Sequence, residues 1–344
     1  MPRRIDMGVV MRSLRALAFA AALCSGFADA RAGDPVTIRI AWTAIPGQIV
    51  GVLYQKPEIL RHAGKSYVVQ PVYYKGSGPQ ITGLATGELE IATYAPAALG
   101  LSIENGHMED LRVIGDQTRD GYADFHTRQY MVRAEDGIRS IDDLKGKVIG
   151  TNSISGALDM AFRAMMRQHH FEDKRDFQVV EIDFPHMFDF LVSKKIDLAS
   201  ITTPFNFEAE KSGKVRTLFT MKDAVGESDM TIMTARAPFI AAHRQTLVDF
   251  FEDSQRALKW FYEPAHRQEV LAIIARASKR PAAEYSDWLF TKKDDYRDPD
   301  FRPNLQAVQK DLDLQAQVGL LKSRIDVKNY SDLTLLEEAA KRIR

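Results

Sequence analysis

The stretch Val72–Ala98 constrains the fold most. An extended run of β-branched and aromatic residues ends at Lys75-Gly76-Ser77-Gly78. A helical pattern follows, with Ile81, Leu84 and Ala85 on one face, and stops at Thr86-Gly87. A second extended run, Leu89 to Tyr94, ends at a proline able to open another helix. Strand, Gly/Ser turn, helix, strand is the repeating unit of open α/β sheets. The phrase returns further on: LATGELEIA at Leu84–Ala92 is echoed by LVSKKIDLA at Leu191–Ala199, each followed by a polar run and a proline, Pro96 and Pro204. Two copies of one grammar predict two lobes of the same α/β design, with a ligand held between strand carboxyl ends that face each other.

A chain of 344 residues has room for two such lobes, each with its own core. Residues 1–32 read as an export leader rather than as part of the fold. Arg12 and Arg15 form a positive start, Ala16 to Leu23 a short apolar run, and cleavage sites of the small-x-small type end at Ala30 and Ala32. The apolar run is far shorter than the ~20 residues that span a bilayer. Leu23 before Cys24 argues against lipidation. The leader holds five arginines against two aspartates, so the remainder carries 41 basic and 44 acidic residues, a net of −3. Nothing in that balance attracts nucleic acid. Cys24 is the only cysteine, so the mature chain is expected to have no disulfide, which fits a bacterial periplasm.

Taken in order, strands are expected at Val36–Trp42, Tyr67–Tyr74, Leu89–Tyr94 and Leu111–Gly115, and later at Lys147–Gly150, Gln178–Ile182, Asp197–Thr202 and Val215–Thr220. Gln48 to Arg61 has a helical pattern. Gly115 to Asp124 is polar and turn-rich and reads as a loop at the mouth of a cleft, with Arg119 in it as a reserve candidate for charge pairing. His126–Arg133 and Ser228–Thr234 read as crossings between lobes. They predict 33–126 plus 229–344 as the first lobe, 127–228 as the second, and hinges near Phe125–Arg128 and Gly226–Thr231. Leu247, Phe250, Phe251, Leu258 and Phe261 line a long helix, and the run from Lys292 to Asp300 reads as a solvated loop.

Catalytic motifs are sparse. The sequence has no His-x-x-x-His pair, no CxxC, no G-x-S-x-G and no phosphate loop, since Gly76-Ser77-Gly78 lacks the Lys-Ser/Thr ending. No metal and no cofactor is implied. What remains is a set of small polar loops at strand ends: Trp42-Thr43, Gly76-Ser77-Gly78, Thr151-Asn152-Ser153-Ile154-Ser155-Gly156 and Thr202-Thr203. Free N–H groups in a helix's first turn hold an anion, and hydroxyls add adjustable donors. Such residues also cap helices, and for one loop alone both readings stay open. Two such loops in two lobes point to a binding site. Tyr94, at a strand end, and His186, in Phe184-Pro185-His186, are further candidates to face the cleft.

Ile81–Ala92, Asp142–Gly150, Val192–Ala199 and Gly319-Leu320-Leu321 resemble, in order and spacing, periplasmic substrate-binding proteins of nitrate, sulfonate, taurine and thiamine-precursor importers. The resemblance implies a two-lobed type II periplasmic-binding-protein fold with two crossovers. It implies a monomer that binds a small anionic or organic solute without turnover and delivers it to an inner-membrane ABC permease. It places ligand contacts at Trp42, Thr43, Gly76, Ser77, Gly78, Tyr94, Thr151, Asn152, Ser153, Ser155, His186, Thr202 and Thr203. Where members often carry an acidic residue, this chain has Thr202-Thr203-Pro204-Phe205, which weakens the case for a cationic ligand. A biosynthetic enzyme of the same fold, or a sensor docking on a membrane receptor, are the alternatives.

Overall fold

The computed structural model describes residues 34–317 and 319–343, and the expected leader lies outside them. Among the described residues ten strands are arranged in order: β1 (Val36–Trp42), β2 (Tyr67–Tyr73), β3 (Ala92–Tyr94), β4 (Leu111–Asp120), β5 (Gln129–Arg133), β6 (Lys147–Thr151), β7 (Phe177–Glu181), β8 (Leu198–Ile201), β9 (Val215–Thr220) and β10 (Ser228–Arg236). β1 pairs in parallel with β2, and β10 lies antiparallel between β3 and β4. The bridge from Ile40 to Ile91, with the Ala41 amide donating to the Ile91 carbonyl at 3.0 Å, joins these into one run, β2-β1-β3-β10-β4. The second sheet runs β7-β6-β8-β5-β9, with β6 parallel to both neighbours and β5 antiparallel to both of its own.

The two orders are the same. Each sheet has three parallel strands, then one antiparallel strand, then an edge. The antiparallel strand in each case is the one that has just arrived from the other lobe: β5 follows β4, and β10 follows β9. The duplicated phrase thus encodes a duplicated sheet, and each crossing is built into a sheet rather than hung between two. Parallel strands of this kind need both faces covered. The helices Ser77–Thr86, Pro96–Glu104, Ala157–Gln168, Phe184–Val192 and Arg244–Tyr262 cover them.

Three expectations are corrected. Gly115–Asp124 is not a mouth loop. Through Asp120 it is the second half of β4, with every residue from Val113 to Asp120 buried. Its polar side chains are paired inside the protein, which composition cannot show. Lys292–Asp300 is not a solvated loop either, since Asp294, Asp295 and Arg297 are buried in it. The helical pattern from Gln48 to Arg61 yields only a turn at Val50–Leu53 and a shorter one at Pro57–Ile59. Pro57 cannot continue the first, and the chain beyond it is captured by a distant carboxylate.

That carboxylate is Asp253, fully buried on the helix Arg244–Tyr262. It accepts hydrogen bonds from the amides of Arg61 (2.8 Å), His62 (2.9 Å) and Ala63 (3.1 Å) and from the Tyr67 hydroxyl (2.8 Å). One turn earlier Phe250 stacks on Tyr54 at 5.7 Å and meets Tyr67 edge-on at 5.9 Å. The core of the first lobe is therefore closed by a helix that follows both crossings in sequence. Asp253→Ala leaves four donors without their charged acceptor and is expected to cost roughly 3 kcal/mol. A denaturation midpoint within experimental error of the parent would overturn that assignment.

Candidate ligand site

The ends of β1, β3, β6 and β8 converge on one cavity of about 60 Å³ between the two sheets. From the first lobe come Thr43, Gly76, Ser77, Thr93 and Tyr94. From the second come Asn152, Phe184, Thr202 and Thr203, and from the crossing strands and their approaches Thr118, Arg128, Met230 and Thr231. The wall is hydroxyl-rich, and much of it is prearranged. The Gln48 side chain donates to the Thr93 carbonyl and hydroxyl, both at 3.0 Å, and accepts from the Thr43 amide. Gln80 accepts from the Thr93 amide at 2.8 Å, and the hydroxyls of Thr118 and Thr231 meet at 2.7 Å.

Of the residues expected from sequence, Thr43, Gly76, Ser77, Tyr94, Asn152, Thr202 and Thr203 are brought together here. Ser77 is not a helix cap: its hydroxyl accepts from the Ala95 amide at 3.3 Å, and the helix start carries no side-chain cap. Tyr94 touches the cavity, but its ring belongs to the first lobe's core. The others lie elsewhere. Trp42 packs against Tyr73, ring centroids 4.9 Å apart, in an outer hollow. Gly78 and His186 are exposed, and Thr151 is buried at the end of β6 behind the wall. Ser155 has a left-handed backbone, φ +63°, and its amide is taken by Asp159. Arg119 is no mouth residue. It is buried among Asp116 and Asp229, both 3.2 Å from its Nε, and Asp298 at 3.4 Å.

Ser153 faces the other lobe instead of a ligand. A Cβ placed on Gly76 would stand 2.7 Å from the Ser153 hydroxyl, and closer still to its Cβ. Gly76 is extended, with φ −177°, so any residue could adopt its backbone. Size is what the position excludes. Beside it the Asn152 side chain donates to the Lys75 carbonyl at 3.4 Å. The two polar loops thus meet each other across the cleft.

The cation of the site was read from sequence only as the end of a crossing. Arg128, buried just before β5, directs Nη1 at Asp295 (2.7 Å) and Asp120 (3.3 Å), while its Nε is buried without a partner. Burial alone would raise the Asp295 carboxyl, but Arg128 and Arg297 outweigh it and hold it below the ordinary carboxylate range. Burial, and Arg128 after it, push His126 down, which keeps that ring neutral near pH 7. No local motif marks Arg128, because Asp295 lies at the far end of the chain. A separate cluster of His62, Asp249 and Glu252 has metal-ligand chemistry, but Arg342 and Arg256 already hold its carboxylates at 2.9 and 2.8 Å.

Residues 75–266 match the family described as NMT1/THI5 like. The chain belongs to this family. No match was found among curated proteins. Solved structures are similar throughout. The alkanesulfonate-binding protein SsuA from Xanthomonas axonopodis pv. citri aligns over 88 % of this chain and 100 % of its own, with TM-score 0.68 and 15 % identity. The periplasmic nitrate-binding protein NrtA from Synechocystis PCC 6803 aligns over 90 % and 89 %, with TM-score 0.70 and 13 % identity. The desulfurization enzyme DSZB aligns over 90 % and 100 %, with TM-score 0.64 and 13 % identity. At such identities they speak for the fold, which is the two-lobed type II periplasmic-binding-protein fold. The matched residues 75–266 hold both polar loops and both crossings, while Thr43 and Gln48 of the cavity wall lie before them.

Two outcomes follow from this geometry. Gly76→Ala puts a methyl where Ser153 stands, so the lobes cannot close fully, and affinity for whatever solute binds should fall while the melting temperature stays put; unchanged affinity would show that the contact is incidental. For Asp229, burial raises the carboxyl to about 7 against the opposing pull of Arg119. A raised carboxyl stabilises fully below its unfolded value near 4 and loses that contribution as pH rises through the folded value. Asp229→Asn should therefore flatten the fall in melting temperature between about pH 4 and 7, and a fall as steep as in the parent counts against it.

Proposed function

We propose that this chain is an exported solute-binding protein of an ABC importer, which closes two lobes on a small anionic or organic solute and releases it unchanged. The observation that carries the reading is the cavity between duplicated sheets, lined by hydroxyls and amides from both lobes, with the Arg128 Nε left without a partner. A solute acceptor completes that donor, and a donor set drawn from both lobes lets binding energy favour the closed form. Similar folds are named as alkanesulfonate- and nitrate-binding proteins, which supports solutes of that kind.

The remaining parts of the reading fit the same picture. The leader at 1–32, cut near Ala30 or Ala32, takes the chain to the periplasm, and an inner-membrane permease receives the solute from a monomer. The lobes are 33–126 with 229–344, and 127–228. The crossings near Phe125–Arg128 and Gly226–Thr231 act as hinges. Thr43, Gly76, Ser77, Asn152, Thr202, Thr203 and Arg128 hold the solute. An enzymatic role has one structural neighbour in its favour, the desulfurization enzyme. Against it, the described lining residues offer donors but neither a thiol nor an imidazole.

The test separates charge from geometry at Arg128. Arg128→Lys keeps the charge beside Asp120 and Asp295 but removes the planar guanidinium and its Nε. It should weaken solute binding at least about tenfold, near 1.4 kcal/mol, with little change in melting temperature. Arg128→Met strands two buried carboxylates and should cost about 3–5 kcal/mol of stability. Calorimetric titration with nitrate, methanesulfonate, taurine and an aminopyrimidine reads the first. Parent-like affinity in Arg128→Lys, or steady conversion of a bound solute to product, would falsify the reading.

A further inference from the structure

The inner cavity borders a second hollow of about 330 Å³, and the two share Thr43, Ala44 and Phe184 in their walls. The outer hollow has a different chemistry. Trp42 and Tyr73 form an aromatic pair on the first lobe, and Tyr73 is 52 % exposed. Phe184 and Phe205 form another on the second lobe, nearly parallel at 19° and 6.4 Å apart. A tyrosine so open to water, facing no core, is a surface available to stack on. The hollow is flanked by Lys75 and Lys279, both exposed and neither in an ion pair among the described residues. Arg280 beside them is spoken for by Glu208 and Glu284.

The charges of the two compartments differ. In the inner one the positive charge of Arg128 is offset by Asp120 and Asp295, so its free Nε asks for an acceptor but not for a net negative charge. In the outer one neither lysine is in an ion pair, and the nearest carboxylate acting on Tyr73 is that of Asp183. At about 60 Å³ the inner cavity holds only a few heavy atoms and lies below the usual range of ligand pockets, whereas the two hollows together reach it. We infer that the solute is an aromatic anion bound end-on: a small uncharged acceptor inside, at Arg128; a flat ring at the neck, between the Trp42–Tyr73 and Phe184–Phe205 pairs; and a carboxylate or sulfonate outside, at Lys75 and Lys279.

This deepens the solute-binding reading and rests on it, so the experiment must tell their failures apart. The full mature chain is titrated calorimetrically with 4-hydroxybenzoate, 4-hydroxybenzenesulfonate, phenol, methanesulfonate and nitrate. The hydroxybenzoate and hydroxybenzenesulfonate should bind at least about tenfold more tightly than the other three. The double variant Lys75→Gln/Lys279→Gln should weaken the two aromatic anions about tenfold at low ionic strength, less at ~1 M salt, and leave uncharged phenol unaffected. Both lysines are exposed and unpaired, so folding is preserved. Trp42→Phe, which keeps a ring, should be milder than Trp42→Ala for the aromatic anions. The inference is overturned if the aromatic anions bind no tighter than methanesulfonate, if they fail to bind, or if the lysine variant leaves their affinity unchanged. The solute-binding reading itself fails if no probe of either kind loses affinity in Arg128→Lys, or if a bound probe is steadily converted to product.

Discussion

The ion pair between Arg128 and the carboxylates of Asp120 and Asp295 is the interaction on which the rest of the structure turns. Asp120 ends β4, Arg128 precedes β5, and Asp295 arrives from beyond the long helix Arg244–Tyr262. The Thr127 hydroxyl and the Arg128 amide also donate to Asp120, at 2.6 and 2.8 Å, and the Thr203 hydroxyl reaches Asp295 at 3.4 Å. One buried guanidinium thus gathers the first sheet, the crossing, the end of β8 and the late chain. Buried charges are costly unless paired. The pairing therefore obliges these four segments to assemble together, and it happens at the back of the cavity.

A second buried group does similar work one strand over. Arg119 draws together Asp116, Asp229 and Asp298, which come from β4, β10 and the segment after Asp295. The two arginines thus sit beside the two crossings, one near β5 and one against β10. Each crossing strand is paired on both sides, next to the edge strand of its sheet, and tied at its base by a charge cluster. Both crossings are thereby anchored in packed sheets, which leaves only the few residues between the sheets outside them.

The site itself is made by approach more than by motif. Thr43, Gly76 and Ser77 meet Asn152, Thr202 and Thr203 only because two sheets of equal order face each other. Gly76 matters for its missing side chain, which lets Ser153 come close. Several of the hydroxyls lining the cavity are already oriented by protein partners: Thr93 by Gln48, Ser77 by the Ala95 amide, Thr118 and Thr231 by each other, and Thr203 by Asp295. Trp42, at the end of β1, falls to the outside of this ring and shares its hollow with Tyr73, Phe184 and Phe205.

The sequence by itself determined the two-lobe plan, because alternation, glycine stops and the echo of Leu84–Ala92 in Leu191–Ala199 are local signals, and local chemistry decides where strands and helices begin. It also determined the polar loops Gly76-Ser77 and Thr202-Thr203, whose residue types are unsuited to a core. Tertiary structure alone decided the status of the charged residues. The polar run Gly115–Asp124 and the acidic run Lys292–Asp300 look solvated when read singly, yet much of each is buried because each neutralises the other and Arg128. The same holds for Asp253, which turns an apparent helix at Gln48–Arg61 into an anchored loop. A charge is buried or exposed according to a partner that lies far along the chain, and no window of sequence contains both.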